Sequence, residues 1–505
     1  MTTKGQGRFR AVAVGDLVVD GVVDLTLQYT APDRGFKQGG SIWIFSDFRQ
    51  FSSQFRPYLA HGGVSVSSPT NSEWLTEKFD WGGGIRTLDL VPEVPEFLNA
   101  LHVTCVAGGL DPGETVEIQL KTAPNGYKLP QNAIESFYFW AVEDPDGEIE
   151  FLQSREDRAG YYYFQPRATL PQIMRSNPLT IRPGAPKALR LASPSLSARQ
   201  SYVRIHAEDE FGNPVEYQDG PVRLQSAVDQ IQVDGLAERG TRAEIRLNDG
   251  IDRVRASAGS LEGEGGPIRV AEPVSHSRLY WGELHGMVFN QRPYREQFEW
   301  ARDVACLDFS AGQLFSYLTC VGETWEEMKK VWDEFELPGE FISLPAVEYG
   351  TPPDGSHRIG FFPSTNNLPP LFCEVRRGAH DPLLMAKFSR ETIYCRDYRA
   401  LYDEVHKRGG IVHGHYHTRF YEAETLAEIY QKQQFDVDAE EEKINKHLRA
   451  GVRLGIVGGT DTHDSRPGNP FPEPGPARPG GLTGVWAEKL DRESILNALK
   501  NRRTY

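Results

Sequence analysis

The chain has 505 residues, 39% hydrophobic and 25% charged, with a formal net charge of −15. That length exceeds a single core and predicts roughly two to four domains. The acidic balance, lacking any long basic block, argues against wrapping a nucleic-acid backbone, and no apolar run is long enough to span a bilayer.

Met1–Arg10 has basic residues but no apolar core of the kind a secretory signal peptide carries. The five cysteines, Cys105, Cys306, Cys320, Cys373 and Cys395, are odd in number and show no C-x-x-C spacing. They read as reduced thiols packed in the core of a cytoplasmic protein.

From Phe9 to about Arg182, short β-branched and aromatic runs alternate with Gly, Pro, Asn and Asp. Leu17–Val23, Ser41–Phe45 and Ser136–Val142 are examples, and the last leads through Pro-Asp-Gly to Ile149, a hairpin signal. Many short strands with regular turn signals predict a β-sandwich over residues 1–182. The aromatic set Trp43, Phe45, Phe48, Phe51 and Phe55 fits core packing and partner-domain contact better than a ligand cradle.

Prolines at 178, 183 and 186 mark a linker, and limited proteolysis should cut there or near 258–267. Alternating runs resume at Ala188–Leu191, Tyr202–Ala207, Val222–Leu224 and Ala243–Leu247, predicting an immunoglobulin-like β domain over 186–270. Its Asp209-Glu-Phe-Gly-Asn-Pro turn resembles one common in immunoglobulin-like repeats. Nothing in this domain calls for catalysis, so a spacer or an interface is expected.

From Leu279 the pattern becomes strand, helix, strand. Helices are expected at 293–305, 324–335, 396–408, 437–450 and 491–502, with a capping box at Thr324–Glu327 and C-terminal glycine caps at Gly409 and Gly451. Apolar runs between them at 341–347, 410–412, 454–457 and 482–486 read as strands, which implies a parallel open sheet or barrel over 275–505. In such folds function gathers at the carboxyl ends of the strands.

Polar residues fall at those ends. Glu283 and His285 follow the first strand, Glu348 the next clear one, His413-Gly-His415-Tyr-His417 a third, and Asp461-Thr-His463 a fourth. His357 and Arg358 lie just beyond Glu348, and Arg466 lies three residues after His463. Ten of the 13 histidines lie between His276 and His463, which places any imidazole chemistry in this third of the chain. Four strand ends that each deliver a carboxylate or imidazole favour a metal centre for zinc, manganese or iron over scattered surface residues. His380, His406 and His447 fit solvent-facing positions.

In this order, the motifs resemble the polymerase-and-histidinol-phosphatase (PHP) superfamily of metal-dependent phosphoesterases, in a form where β domains precede the catalytic one. Gly282-Glu-Leu-His285 stands where that superfamily has D-L-H-x-H, and Val347-Glu348 stands at the metal-bridging glutamate. His413 matches the mid-chain histidine, and Gly459-Thr-Asp461-Thr-His463 the closing G-S-D-x-H. The resemblance implies a distorted β/α barrel with metals at the strand ends. Two departures stand out. Met287 replaces the second histidine of the opening motif, and no histidine follows Leu307-Asp-Phe. One or two divalent ions are therefore expected rather than three.

The expected activity is hydrolysis of a phosphoester or similar anionic ester, a small molecule, by metal-bound hydroxide. The same chemistry on a sulfate ester, amide or lactone is the alternative, and a degenerate PHP domain serving as a binding scaffold is a second. Ligands would be His285, Glu348, His413, Asp461 and His463, with His357 and His415 as additions; His415 and His417 are equivalent by pattern. Glu283 would orient His285 from outside the coordination sphere. Arg358 and Arg466 are the cations expected to steer an anion, with structural ion pairing as their other use. No nucleic-acid or membrane partner is expected, and self-association is compatible with the composition.

Overall fold

The computed structural model describes residues 7–46, 63–79, 85–86, 100–121, 123, 125–153, 162–166, 172–193, 196–197, 199–270, 277–288, 294–350, 357–373, 385–386, 388–414, 423–431, 437–462, 465–469 and 480–505. The chain divides into two compact units, Met1–Gly184 and Ala185–Tyr505, and the division falls in the proline-marked linker.

Among the described residues, the first unit is built from strands. One sheet pairs Arg8–Val14 with Val22–Thr30, then Thr115–Leu120 and Val64–Ser67. A second runs Gln172–Arg175, Phe139–Asp144, Ser41–Ser46, Ala100–Ala107 and Glu73–Phe79. Val22–Thr30 shows why these residues form a strand. Val23, Leu25, Leu27 and Tyr29 are buried, and their neighbours Asp24, Thr26 and Gln28 are more exposed, so one face packs and the other meets water.

The hairpin expected around Pro145-Asp-Gly147 does not form. The turn itself exists, with Gly147 at φ 72° and Asp144 Oδ1 accepting from Glu148 N at 2.8 Å. Phe139–Asp144, however, is fully buried between two other strands, while Ile149–Gln153 pairs with Tyr162–Pro166. Tertiary pairing has overridden the local turn signal. Trp43 and Phe45 are core residues; Phe48, Phe51 and Phe55 lie outside the described residues.

The second unit opens with the small β domain. Ala188–Ala192, Gln200–Glu208 and Thr241–Arg246 form one sheet, and Tyr217–Gln225, Gln230–Leu236, Arg255–Ala258 and Leu261–Glu264 another. Between them lies a core of its own, with Val203, Ile205, Val222, Leu224, Leu236 and Ile245 at its centre.

The rest of this unit is a nearly closed sheet wrapped by helices. Its strands are β1 (Arg278–Met287), β2 (Phe309–Gln313), β3 (Phe341–Gly350), β4 (His357–Phe361), β5 (Ile411–Gly414), β6 (Leu426–Tyr430), β7 (Gly455–Gly458) and β8 (Thr483–Ala487). They are ordered β7-β6-β5-β4-β3-β2-β1-β8. β1, β2 and β3 are parallel, β4 runs antiparallel between β3 and β5, and β5, β6 and β7 are parallel again. The longer described helices are α1 (Tyr294–Glu299, continued by a π turn over Trp300–Val304), α2 (Gly322–Glu334), α3 (Tyr398–Lys407), α4 (Val437–Arg449) and α5 (Arg492–Lys500).

Helix starts and stops follow local chemistry. Asp397 and Asp491 cap α3 and α5 by accepting from Ala400 N and Ser494 N, and Gly409 and Gly451 take the left-handed φ of C-terminal caps. The expected Thr324 cap is displaced. α2 begins two residues earlier, behind Val321, which has no side-chain acceptor. None of the described helices is long and apolar enough to cross a membrane.

Alternation along the strands sorts the side chains. Val347, Tyr349 and Val412 pack with Phe298, Trp325, Met328, Trp332, Leu401 and Val405 of the helices, which marks the outer face. Ile342, Leu344 and Ala346 of β3, Ile359 and Phe361 of β4, Ile411 of β5, Leu426 of β6 and Val457 of β7 share a second cluster on the inner face. Each Val, Leu, Ile or Phe among them taken fully out of water contributes about 1.5–3 kcal/mol.

Candidate metal centre

Continuing those inner columns by two residues leads from apolar to ionisable side chains. Ile342, Leu344 and Ala346 are followed by Glu348, Ile411 by His413, and Leu426 by Glu428. A period of two puts each on the same inner face as the residue before it. The register agrees, since Glu348 lies opposite Ile359 and Ile359 opposite His413. The polar residues therefore cap an apolar interior at the carboxyl ends of parallel strands.

The opening and closing motifs meet through their backbones. Asp461 N donates to His285 O at 2.7 Å, Met287 N donates to Thr462 O at 2.8 Å, and Gly286 forms a parallel bridge with Thr462. This pairing nearly closes the sheet and brings Asp461 beside His285. Glu283 staples the junction, its carboxylate accepting from His285 N at 2.7 Å and from Thr460 N at 3.0 Å. Gly459 is required here. A Cβ on it would lie 2.6 Å from both Glu428 Oε1 and His285 Cβ.

The His285 ring has a carboxylate near each nitrogen. Nδ1 lies 3.0 and 2.9 Å from the two Glu428 oxygens, and Nε2 lies 3.3 Å from Asp461 Oδ1. Burial alone would push the imidazolium down, but Asp461, Glu428 and Glu348 outweigh it and hold the pKa up at about 10. Burial pushes Glu428 up to about 7 against the pull of His285. It also raises Glu283, against hydrogen bonds from Thr460 and His285. Next to this group, Glu348 Oε1 meets His357 Nδ1 at 2.6 Å.

His285, Glu348 and Asp461 thus come together, with His357 joined to them through Glu348. His413 is fully buried, its ring stacked on Phe361 with centroids 5.3 Å apart. His415 and His463 lie outside the described residues. Glu283 binds the backbone of His285, not its ring. Glu428 takes the role expected of Glu283, and its strand goes unmarked in the sequence because no turn residue flanks Leu426–Tyr430. The apolar-to-acid step from Leu426 to Glu428 was the available signal.

The two arginines have partners other than the expected anion. Arg358 lies opposite Tyr349 on the outer, helix-covered face, where its Nε donates to Glu424 Oε1 at 2.8 Å and to the Tyr402 hydroxyl at 3.1 Å. Its sequence neighbour His357 faces inward, so adjacency in a strand separated them. Arg466 lies over the Trp300 ring at 4.6 Å and donates from Nη1 to Asn213 Oδ1 of the small β domain at 2.8 Å.

His285 and Asp461 carry donor atoms of the kinds that bind a divalent ion. Two ligands sharing one zinc at about 2.0–2.2 Å stand about 3.0–3.5 Å apart, and the Nε2–Oδ1 separation of 3.3 Å lies within that span. Glu283, Glu348, Glu428 and Asp461 are all buried beside His285, and such carboxylates are costly without a compensating cation. Among the described residues, no group of three or more His, Cys, Asp or Glu side chains is placed to hold a metal ion. The fit therefore rests on the His285–Asp461 pair.

No family model and no curated relative matches the chain. Among solved structures, the cohesin module from the Clostridium perfringens ATCC13124 family 33 glycoside hydrolase is 8% identical, covering 36% of this chain and 100% of that one at a TM-score of 0.18. Red sea bream transglutaminase is 9% identical, covering 54% of this chain and 32% of its own at a TM-score of 0.14. Similarity this low carries no argument about fold or function.

Proposed function

We propose that the C-terminal domain is a PHP-like metal-dependent hydrolase acting on a phosphoester or similar ester of a small molecule. His285 and Asp461 would hold the ion, with Glu348 and His357 beside them and His413, His415 and His463 as the further sequence candidates. The observation that carries this is the 3.3 Å approach of His285 Nε2 to Asp461 Oδ1 inside a buried group of carboxylates. A bound divalent ion supplies Lewis acidity and lowers the pKa of water.

The chain's own residues do the rest. Glu428 accepts from Nδ1 and so directs Nε2 toward Asp461. The apolar column beneath excludes bulk water, which strengthens each charge interaction above it. His357 is partly exposed and bonded to Glu348, so the pair links the site to solvent.

A second reading has specific support. Arg358 and Arg466 are both engaged elsewhere, which favours a bond that is neutral at its reacting end, such as an amide or lactone, over a phosphate or sulfate ester. Purification without chelator, metal analysis and a panel of phosphate, sulfate and carboxylic esters, lactones and amides separate these. Turnover of one class, abolished by chelation and by Asp461→Ala, is expected. A metal-free protein that turns over nothing would leave the domain as a degenerate scaffold.

A further inference from the structure

The stretch that carries Asp461 is fixed at two points. At its start, Asp461 N is bonded to the β1 backbone at His285 O. Five residues later, Arg466 is 2% exposed, its guanidinium lying between the Trp300 ring and Asn213 of the small β domain. The Asn213 turn is itself cross-bonded. Asp209 Oδ1 accepts from Phe211 N and Asn213 N, and Asn213 Nδ2 donates to Asp209 Oδ2 at 2.8 Å. That leaves the Asn213 side-chain oxygen Oδ1 to accept from Arg466.

Two described residues of this stretch take a backbone conformation that is unfavourable on its own. Asp461 and Ser465 both adopt left-handed φ, 48° and 60°. For residues other than glycine this persists where surrounding contacts over-determine it. The Arg466 anchor supplies such a contact from another domain.

We infer that the small β domain is a working part of the metal site: through Asn213 and Arg466 it braces the segment that presents Asp461 to His285. Arg466 is a positioning residue, and the domain before the barrel is not a spacer. This rests on the proposed metal site. It also separates two roles for Arg466, because a substrate-steering arginine leaves metal affinity unchanged whereas a brace does not.

The test is zinc titration of the full chain, well below its melting temperature, in wild type and three variants. Arg466→Met keeps an aliphatic stem against Trp300 and removes the donor. Arg466→Lys restores a donor. Arg239→Ala breaks the exposed Arg239–Glu299 pair at the same domain junction without touching the Asp461 segment.

Arg466→Met should weaken zinc binding about tenfold, the low end for residues that support metal ligands from outside. Arg466→Lys should recover most of that, and Arg239→Ala should match wild type. Wild-type affinity in Arg466→Met, or an equal loss in Arg239→Ala, overturns the brace. If wild type takes up no zinc, the metal assignment fails, and amide hydrogen exchange over residues 459–462 judges the brace by itself. Faster exchange in Arg466→Met than in Arg239→Ala supports it, and equal exchange overturns it.

Discussion

At the residue scale, Glu428 organises the candidate site more than any residue the motifs point to. Its two oxygens hold His285 Nδ1, which fixes the ring plane and leaves Nε2 facing Asp461. Glu428→Gln preserves the shape and removes the charge, so zinc affinity should fall about 10–100-fold, measured by competition with a chelating dye. Unchanged affinity would mean that the ring is oriented by packing alone.

Another buried imidazole bears on stability. Burial, with Arg190 nearby, pushes His206 down to about 4. Above about pH 6.5 it is neutral in both folded and unfolded chains and contributes no slope. As pH falls from about 6.5 through about 4, the unfolded chain binds a proton that the folded one refuses. Stability should therefore drop by up to about 3 kcal/mol across that window. His206→Gln should flatten this limb in urea unfolding measured at pH 7, 5.5 and 4.

At the scale of the element, register decides which legible residues work together. The sequence marks most barrel strands and helices because apolar runs alternate with helical periods and glycine caps. It also marks the ionisable residues at strand ends. What it does not reveal is the face each one joins. His357 and Arg358 are adjacent, yet β4 turns the first toward Glu348 and the second toward Glu424 and Tyr402. Glu428 stayed hidden because no turn residue flanks β6, and its partner His285 lies 143 residues away. The Pro-Asp-Gly turn misled for the opposite reason, since a sound local signal joined strands that belong to different sheets.

Arg358 gives that lesson a measurable form. Its ion pair with Glu424 is buried on both sides, so removing one partner strands a charge. Arg358→Met should destabilise the second unit by about 3–5 kcal/mol in denaturant melts. Turnover per folded molecule should stay near wild type. A selective loss of turnover without a loss of stability would return Arg358 to substrate binding.

At the scale of the whole molecule, the chain separates a strand-built first unit from a second unit that contains both the small β domain and the barrel. In the second unit the small β domain has one core and the barrel has an outer and an inner one, and polar contacts join the two parts: Arg466 with Asn213, Arg204 with Asp303 and Arg239 with Glu299. The candidate metal site is assembled from strand ends spread over residues 283–461, so it exists only when the sheet closes. Closure in turn depends on the pairing of Gly286 with Thr462.

The most direct measurement is calorimetric titration of the metal-stripped full chain with zinc and manganese, beside His285→Ala and Asp461→Ala. One or two equivalents should bind to wild type, with affinity lost or reduced at least 100-fold, about 2.7 kcal/mol, in each variant. Binding that is absent from wild type, or that survives unchanged in both variants, would contradict a metal centre built on His285 and Asp461.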